Sequence, residues 1–441
     1  MSSISVKKYR EKIDQAVVVK CIGQVDKVIG LTIEATAPSG EIGEICYIYN
    51  IDETSYIQAE IVGFNNESIL LMPYGELQGV GPGSKVLLTN KKFTVSVGLG
   101  LIGRILDGFG NPIDGKGHIE VQESASINNL PPHPLNRQRI LTPLVLGIRA
   151  IDGLLTCGRG QRLGIFSGSG VGKSTLLGMI ARNTQADVNV IALIGERGRE
   201  VRDFIEKDLK EDGLKRSVVV VATSDQPPLV RLRAAFVATT IAEFFRSQGK
   251  DTLLMMDSLT RFAMAQREVG LAIGEPPVSR GYTPSVYSIL PKLLERVGNS
   301  EKGSITGLYT VLVDGDDFNE PISDAARGIL DGHIMLSREL ANRNHYPAID
   351  VLNSVSRVMR DITKPEHYEA ATMIKTLMAA YREARDLINI GAYRRGSNAE
   401  IDEAIEKMPQ INDFLQQTVD ENSSFDDTRQ WLYKIVKSKA S

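Results

Sequence analysis

Nine consecutive residues near the middle of the chain limit most strongly what this sequence can fold into. An apolar run at residues 162–167 leads into them, and a helical pattern at residues 173–182 follows; the nine are Ser167, Gly168, Ser169, Gly170, Val171, Gly172, Lys173, Ser174 and Thr175. Glycines let backbone N–H groups approach an anion, and a helix start presents further unsatisfied N–H groups. This order predicts a phosphate-binding loop in which Lys173 contacts the terminal phosphates and the Ser174 hydroxyl binds Mg²⁺. Ser167 replaces the first glycine of the usual pattern. The alternative is a glycine-rich turn without a ligand.

The segments around this loop alternate between apolar runs and helical patterns. The runs lie at residues 162–167, 188–194, 217–222, 252–257 and 305–313, with helical patterns at 200–212 and 229–248. Nearly continuous apolar strands that alternate with helices are typical of a parallel sheet covered on both faces. The sequence therefore predicts an α/β core built around the phosphate-binding loop.

The flanking regions have different patterns, and they divide the chain. Short apolar runs at residues 16–21, 30–35, 45–49 and 68–72 are separated by Gly, Pro and Asn, which predicts a small antiparallel barrel or sandwich. Residues 103–117 read as turns and residues 265–281 lack a clear period, whereas helical runs at 369–389, 399–408 and 428–438 follow the core. The predicted domains are an N-terminal segment at 1–20, a β-barrel at 21–92, an α/β domain with the phosphate-binding loop at 93–358 and a helical domain at 359–441.

Two carboxylates follow apolar strands of this predicted core. Asp257 ends one run, and Glu196 comes directly after the run that ends at Ile194. Ligands bind at the carboxyl edge of such sheets, so we expect Asp257 near a Mg²⁺ ion and Glu196 near an attacking water molecule. The alternatives are that Asp257 only starts a turn and that Glu196 only favours the start of the next helix.

Composition and charge limit the kinds of partner and the cellular compartment that we expect. Lys and Arg number 51 against 54 Asp and Glu, a net charge of −3, so the whole chain does not attract nucleic acid by bulk charge. Cys21, Cys46 and Cys157 form no C-x-x-C pair, as expected in a reducing compartment. We expect a cytoplasmic protein, because neither a secretory signal nor an apolar stretch of about 18 residues is present.

Several motifs resemble the catalytic subunits of rotary ATP synthases and, more closely, the flagellar and type III protein-export ATPases. These motifs lie at residues 195–201, 274–282, 290–296 and 316–333. The resemblance implies a RecA-like core, and it gives Lys173, Ser174 and Glu196 the roles of phosphate-loop lysine, Mg²⁺ ligand and catalytic carboxylate. It further implies that Arg197 contacts the γ-phosphate and that Arg261 is an active-site arginine, while Glu200 and Asp257 hold waters around the metal. By the same resemblance Arg357 is an arginine finger for the neighbouring subunit's site, and adenine packs against Tyr346.

The resemblance also implies a function and partners. It indicates a Mg²⁺-dependent ATP hydrolase of the flagellar or type III export apparatus, which works as a homohexameric ring at the inner membrane without nucleic acid. The expected partners are a central-stalk-like protein in a pore lined by residues 265–281, export chaperones and substrates, the export gate, and a stator-like regulator. The regulator is expected at an N-terminal helix marked by Tyr9, Ile13 and Val17. The alternatives are a rotary ion-pumping ATPase or ATP synthase subunit, a non-catalytic ring subunit, a virulence-type secretion ATPase and a ring-shaped RNA translocase.

Overall fold

The computed structural model describes residues 21–313 and 320–437. The predicted N-terminal helix with Tyr9, Ile13 and Val17, and residues 316–319 of the last motif, lie outside this range. The described chain divides into two compact units, one formed by residues up to Phe93 together with 269–275 and the other by the remaining residues. The predicted domain boundaries at residues 20, 92 and 358 stay predictions.

The first unit contains a closed antiparallel barrel in the strand order β1-β2-β5-β4-β3-β6. Its strands are β1 (Ile22–Ile29), β2 (Thr32–Thr36), β3 (Glu44–Tyr49), β4 (Tyr56–Asn65), β5 (Ser68–Pro73) and β6 (Lys85–Lys92). Alternate residues point inward, so Ile33, Ile48, Ile61, Leu71 and Val86 are fully buried in one core. The predicted small β domain is confirmed as a barrel. Its first described strand begins at Ile22, after the apolar run predicted at 16–21.

The second unit is organised by a sheet that has nine strands within the described residues, ordered β17-β16-β10-β15-β13-β11-β12-β8 with β14 paired to β15. The strands are β8 (Ile105–Leu106), β10 (Arg162–Ser167), β11 (Val188–Glu196), β12 (Ser217–Thr223), β13 (Asp251–Asp257), β14 (Gly298–Asn299), β15 (Ser304–Leu312), β16 (Gly332–Leu336) and β17 (Ile349–Ser356). Strands β7 (Thr94–Val97) and β9 (Glu123–Ser126) pair separately. From β8 to β16 the strands along this order are parallel, as predicted, whereas β17 runs antiparallel to β16.

Helices cover both faces of this sheet because the central strands are apolar on both sides. One face shares a core with the helix after the phosphate-binding loop, and residues 228–247 pack on β11, β12 and β13. The α-helices are Arg149–Leu154, Lys173–Asn183, Gly198–Asp203, Lys210–Leu214, Pro228–Ser247, Leu259–Ala272, Pro284–Leu294, Pro321–Ile329, Arg338–Asn342, Met359–Ile362, Pro365–Asn389, Ala399–Leu415 and Phe425–Lys437.

Three sequence expectations need correction. Residues 265–281 are irregular only in part, because the helix Leu259–Ala272 covers their first half and buries Phe262, Ala265 and Val269 at helical spacing. The helix expected over 200–212 begins at Gly198 and contains a π-helical segment, Phe204–Leu209. Strand β11 continues through Gly195 to Glu196, two residues beyond the predicted end.

The C-terminal helices pack onto the α/β core within the second unit. Phe414 is fully buried against Gly153, and a ring nitrogen of His367 lies 2.8 Å from the Gly153 carbonyl oxygen. This packing brings the chain after the helix Ala399–Leu415 back beside the phosphate-binding loop. Among the described residues, no helix combines the length and the apolar character that are needed to cross a bilayer.

Candidate active site

The phosphate-binding loop lies between strand β10 and the helix that begins at Lys173. Gly170 and Gly172 have φ angles of 77° and 87°, a region in which a residue with a Cβ is strained, so glycine is required for this turn. A cavity of about 490 Å³ lies over the loop, and Glu196, Arg197, Glu200 and Arg261 also line it. The predicted strand, loop and helix therefore enclose a space that suits a chain of phosphates.

Lys173 lies between the two carboxylates that the sequence singled out. Its ammonium group pairs with Asp257, and its Nζ lies 3.8 Å from Oε1 of Glu196. Asp257, at the end of β13, also accepts a 2.6 Å hydrogen bond from the Thr310 hydroxyl. Burial by itself lowers the pKa of Lys173, but the charges of Asp257 and Glu196 outweigh it and raise that pKa. Lys173 therefore keeps its positive charge at the floor of the cavity.

Glu196 has the most perturbed carboxyl group of this cavity. Burial raises its pKa to about 7, and the charge of Asp257 acts in the same direction. Its Oε1 is buried and accepts no hydrogen bond. The carboxyl groups of Glu196 and Glu200 are hydrogen-bonded to each other. Burial by itself raises the pKa of Glu200, but the hydrogen bonds from Glu196 and Arg197 outweigh burial and lower that pKa. Glu196 consequently holds a proton more readily than Glu200 and presents an unsatisfied oxygen.

Two arginines reach the same cavity in different ways. The Arg197 side chain is 74% exposed, and its Nη1 donates a 2.8 Å hydrogen bond to Glu200. Arg261 lies on the first turn of the helix Leu259–Ala272, and its buried Nε has no hydrogen-bond partner. A buried donor without a partner is costly, so Arg261 is suited to an anionic ligand.

Tyr346 lines an adjoining cavity of about 670 Å³ beside the same loop. Its ring lies so close to Gly172 that a Cβ there would come within 3.3 Å of it. A further wall of this cavity comes from residues that no sequence motif indicates, namely Gln416, Gln417, Thr418, Val419 and Glu421. Glycine, tyrosine and apolar side chains beside a phosphate site suit a nucleobase. Only the tertiary fold reveals this wall, since it lies far along the chain.

Besides Tyr346, three predicted site residues are not part of the lining of the phosphate cavity of their own chain. Asp257 lies behind Lys173, with which it pairs. Val171 points into the hydrophobic core, so that only its backbone belongs to the loop. Arg357 follows β17, and because β17 is antiparallel its last residue, Ser356, pairs with Gly332 at the start of β16. Arg357 therefore lies at the sheet edge opposite the phosphate-binding loop, where its Nη2 donates to the Arg327 carbonyl at 3.3 Å.

The residues present fit a magnesium nucleotide. The unpartnered Nε of Arg261, the buried and unpartnered hydroxyl of Ser167 and the glycine turn are the features expected where phosphates bind, whereas the unpartnered Oε1 of Glu196 can accept a hydrogen bond from water. Within residues 21–313 and 320–437, no group of three or more His, Cys, Asp or Glu side chains forms a metal cage.

Comparison with known families matches three stretches of the chain. Residues 25–90 match the beta-barrel domain of the ATP synthase alpha/beta family, and residues 147–356 match its nucleotide-binding domain. Residues 363–434 match the C-terminal domain of the type III secretion ATPase EscN. The matched stretches correspond to the barrel, the α/β core and the C-terminal helices.

Individual relatives agree over nearly the whole chain. The flagellum-specific ATP synthase of Bacillus subtilis is 58% identical, over 91% of this chain and 92% of that protein. The type 3 secretion system ATPase of Xanthomonas euvesicatoria is 51% identical over 94% of both. The assembled ATPase EscN of the enteropathogenic E. coli type III secretion system has a TM-score of 0.88 and 48% identity, over 94% of this chain and all of that chain. The chain therefore belongs to the flagellar and type III secretion ATPases of the ATP synthase alpha/beta family, the nucleotide-binding ATPases of protein export.

Proposed function

We propose that this protein hydrolyses ATP at the cavity over residues 167–175 and that this reaction energises flagellar protein export. The position of Lys173 between Asp257 and Glu196 carries the proposal, because it joins a phosphate-binding cation and a water-orienting carboxylate in one site. Relatives named flagellum-specific ATP synthase are 45–58% identical and those named type 3 secretion system ATPase are 46–51% identical, so the higher upper value favours the flagellar system.

The loop and its lysine hold the triphosphate. Backbone N–H groups of Gly168 to Thr175 donate to phosphate oxygens at the start of the helix, and Lys173 leaves its pairing with Asp257 to contact the terminal phosphates. Arg197 and Arg261 supply further positive charge at the γ-phosphate. Tyr346 packs against the adenine ring in the adjoining cavity.

Glu196 orients the water that attacks the γ-phosphorus in line with the leaving ADP oxygen. Its Oε1 is buried and unpartnered, so it is available to accept a hydrogen bond from that water. A positioned base of this kind contributes about 10²–10⁴-fold to the rate. The bond between phosphorus and the attacking oxygen forms as the bond to the leaving oxygen breaks, and the proton of the water passes to Glu196.

Mg²⁺ would be held by the Ser174 hydroxyl, with Asp257 and Glu200 positioning the surrounding waters. Bound there, it would neutralise charge on the phosphate oxygens. Asp257 is suited to this outer position because Thr310 already fixes its carboxylate at 2.6 Å.

A ring of identical subunits completes the site. Arg357 does not reach the phosphate cavity of its own chain, so we propose that it enters the cavity of a neighbour in a homohexamer. The related EscN has been described both as an assembled ATPase and in complex with its central stalk EscO, which supports a stalk-like partner here as well. We further propose a cytoplasmic ring at the inner-membrane export gate that receives chaperones and substrates, with a stator-like regulator bound at residues 1–20.

Replacing one carboxylate tests the chemistry. Glu196→Gln is expected to lower kcat about 10²–10⁴-fold while nucleotide binding persists. The matched control is Glu206→Gln, which removes an exposed carboxylate that pairs with Arg202, outside the cavity lining. Steady-state hydrolysis and calorimetric binding of ADP measure the two effects. Turnover of Glu196→Gln within tenfold of the control would contradict the proposed role.

A further inference from the structure

The far wall of the nucleobase cavity is a short connecting segment. Residues 416–421 leave the helix Ala399–Leu415 and lead toward the helix Phe425–Lys437, with no regular secondary structure of their own. Val419 is 41% exposed and lines the same cavity as Tyr346. The width of this cavity therefore depends on the contacts that hold residues 416–421, because this segment has no helical or strand hydrogen bonds of its own.

Arg149 makes the most extensive set of contacts with this segment. It lies at the start of the helix Arg149–Leu154 and is only 3% exposed. Its Nη1 donates to Glu421, its Nη2 donates to the Gln416 carbonyl, and its Nε donates to the Phe414 carbonyl at 3.0 Å. The guanidinium also lies 4.8 Å from the ring centre of Trp431. One planar group thereby joins both ends of the wall to the α/β core.

Gln417 extends the connection to Tyr346 itself. Its buried amide nitrogen donates to the Gly147 carbonyl, while its amide oxygen accepts from the backbone N–H of Arg149, both at 2.9 Å. The backbone N–H of Gln417 donates to the Tyr346 carbonyl, also at 2.9 Å. The two walls of the cavity are thus bonded to each other and to the turn that begins the Arg149 helix.

Other contacts to the wall are more exposed. Arg182 donates to the Val419 carbonyl at 2.7 Å, and Lys210 pairs with Asp420 at 2.6 Å across a solvent-exposed surface. Exposed pairs contribute little, because water competes for both partners. The buried contacts of Arg149 and Gln417 are therefore the main restraints on the wall.

We infer that Arg149 is a positioning residue for ATP binding, which together with Glu421 holds residues 416–421 in place beside Tyr346, where both line the nucleobase cavity. This inference rests on the proposed binding of adenine beside Tyr346. Arg149 touches neither the phosphates nor the attacking water, so it acts on binding that is equal in the ground state and the transition state. Loss of such binding raises KM and leaves kcat unchanged.

The test compares two variants of this pair with a matched control. Glu421→Gln removes the charge from the partly exposed partner, and Arg149→Lys removes the planar donor while it keeps the charge. The control Glu403→Gln neutralises the partner of another buried cation, Lys407, at 2.8 Å in the helix Ala399–Leu415, away from the cavity. We expect the KM for ATP to rise about 5- to 20-fold in the first two variants, with kcat within twofold of the control.

Two further measurements separate the outcomes. The emission of Trp431, the only tryptophan in the sequence, is expected to change in Glu421→Gln but not in Glu403→Gln, because Arg149 lies over that ring. KM values within twofold of the control in both variants, or a parallel loss of kcat, would overturn the role of Arg149. Tyr346→Ala tests the underlying site. If the KM for ATP of Tyr346→Ala is unchanged, adenine does not bind beside Tyr346. If that KM is raised while the KM values of Arg149→Lys and Glu421→Gln are unchanged, only the positioning role is refuted.

Discussion

Mixing two inactive variants is expected to restore ATP hydrolysis if Arg357 completes the site of a neighbouring subunit. Glu196→Gln keeps the finger and loses the base, whereas Arg357→Ala keeps the base and loses the finger. Each variant alone is expected to lose about 10²–10⁵ in kcat. In an equimolar mixed ring, an interface is complete only when the Arg357→Ala subunit supplies Glu196 and the Glu196→Gln subunit supplies Arg357.

The structure shows why Arg357 cannot reach the phosphate cavity of its own chain. Five strand spacings separate β17 from β11, which carries Glu196, and at about 4.8 Å each they span about 24 Å. Arg357 also lies at the opposite edge, beyond the five residues of β16, which add about 13 Å along the strand. The Arg357 side chain is much shorter than either distance.

In a randomly mixed ring, the base side of an interface is an Arg357→Ala subunit about half of the time, and the finger side is a Glu196→Gln subunit about half of the time. About one quarter of the interfaces are therefore complete, and we expect about 25% of wild-type turnover. The assay is steady-state phosphate release from rings assembled after the two variants are mixed. A matched control replaces Glu196→Gln by the double variant Glu196→Gln/Arg357→Ala, which offers no finger and is expected to give no recovery. If the first mixture stays as inactive as its components while both variants join one ring, the proposed action of Arg357 on a neighbour is wrong.

Two predictions concern stability. Asp114→Asn is expected to lower the free energy of unfolding by about 1–3 kcal/mol at pH 7, because Asp114 accepts hydrogen bonds of 2.7 and 2.8 Å from Arg104. The Arg104 hydrogen bond holds the pKa of Asp114 well below its usual range, so this contribution to stability is present above about pH 4 and is lost as the pH falls further. Urea unfolding of wild type and variant measures it. If the difference between the two proteins does not shrink on acidification, the prediction is wrong. Phe414→Ala is expected to cost about 3–5 kcal/mol, because the buried ring fills the space beside Gly153 and meets Trp431 edge-on at 5.7 Å. Urea unfolding measures this loss too, with Phe64→Ala, an exposed barrel position, as the control expected to change little.

Much of the candidate site could be predicted because its residues are local in sequence or end a strand. The loop at 167–175 needs only nine consecutive residues between a strand and a helix. Glu196 and Asp257 follow from a general rule, since the carboxyl ends of parallel strands share one edge. The sequence pattern does not indicate the helix Leu259–Ala272, because the glycines and prolines from Gly270 onward obscure the helical spacing of the buried residues Phe262, Ala265 and Val269.

The amino-acid sequence by itself determined the order of the domains, the phosphate-binding loop and the carboxylates beside it, because each is encoded by neighbouring residues. Tertiary structure alone decided where the distant groups lie. Packing of the C-terminal helices brings residues 416–421 to Tyr346, and one antiparallel strand sends Arg357 to the far edge of the sheet. Contacts of this kind depend on the summed burial of many side chains and on strand direction, neither of which a local pattern records.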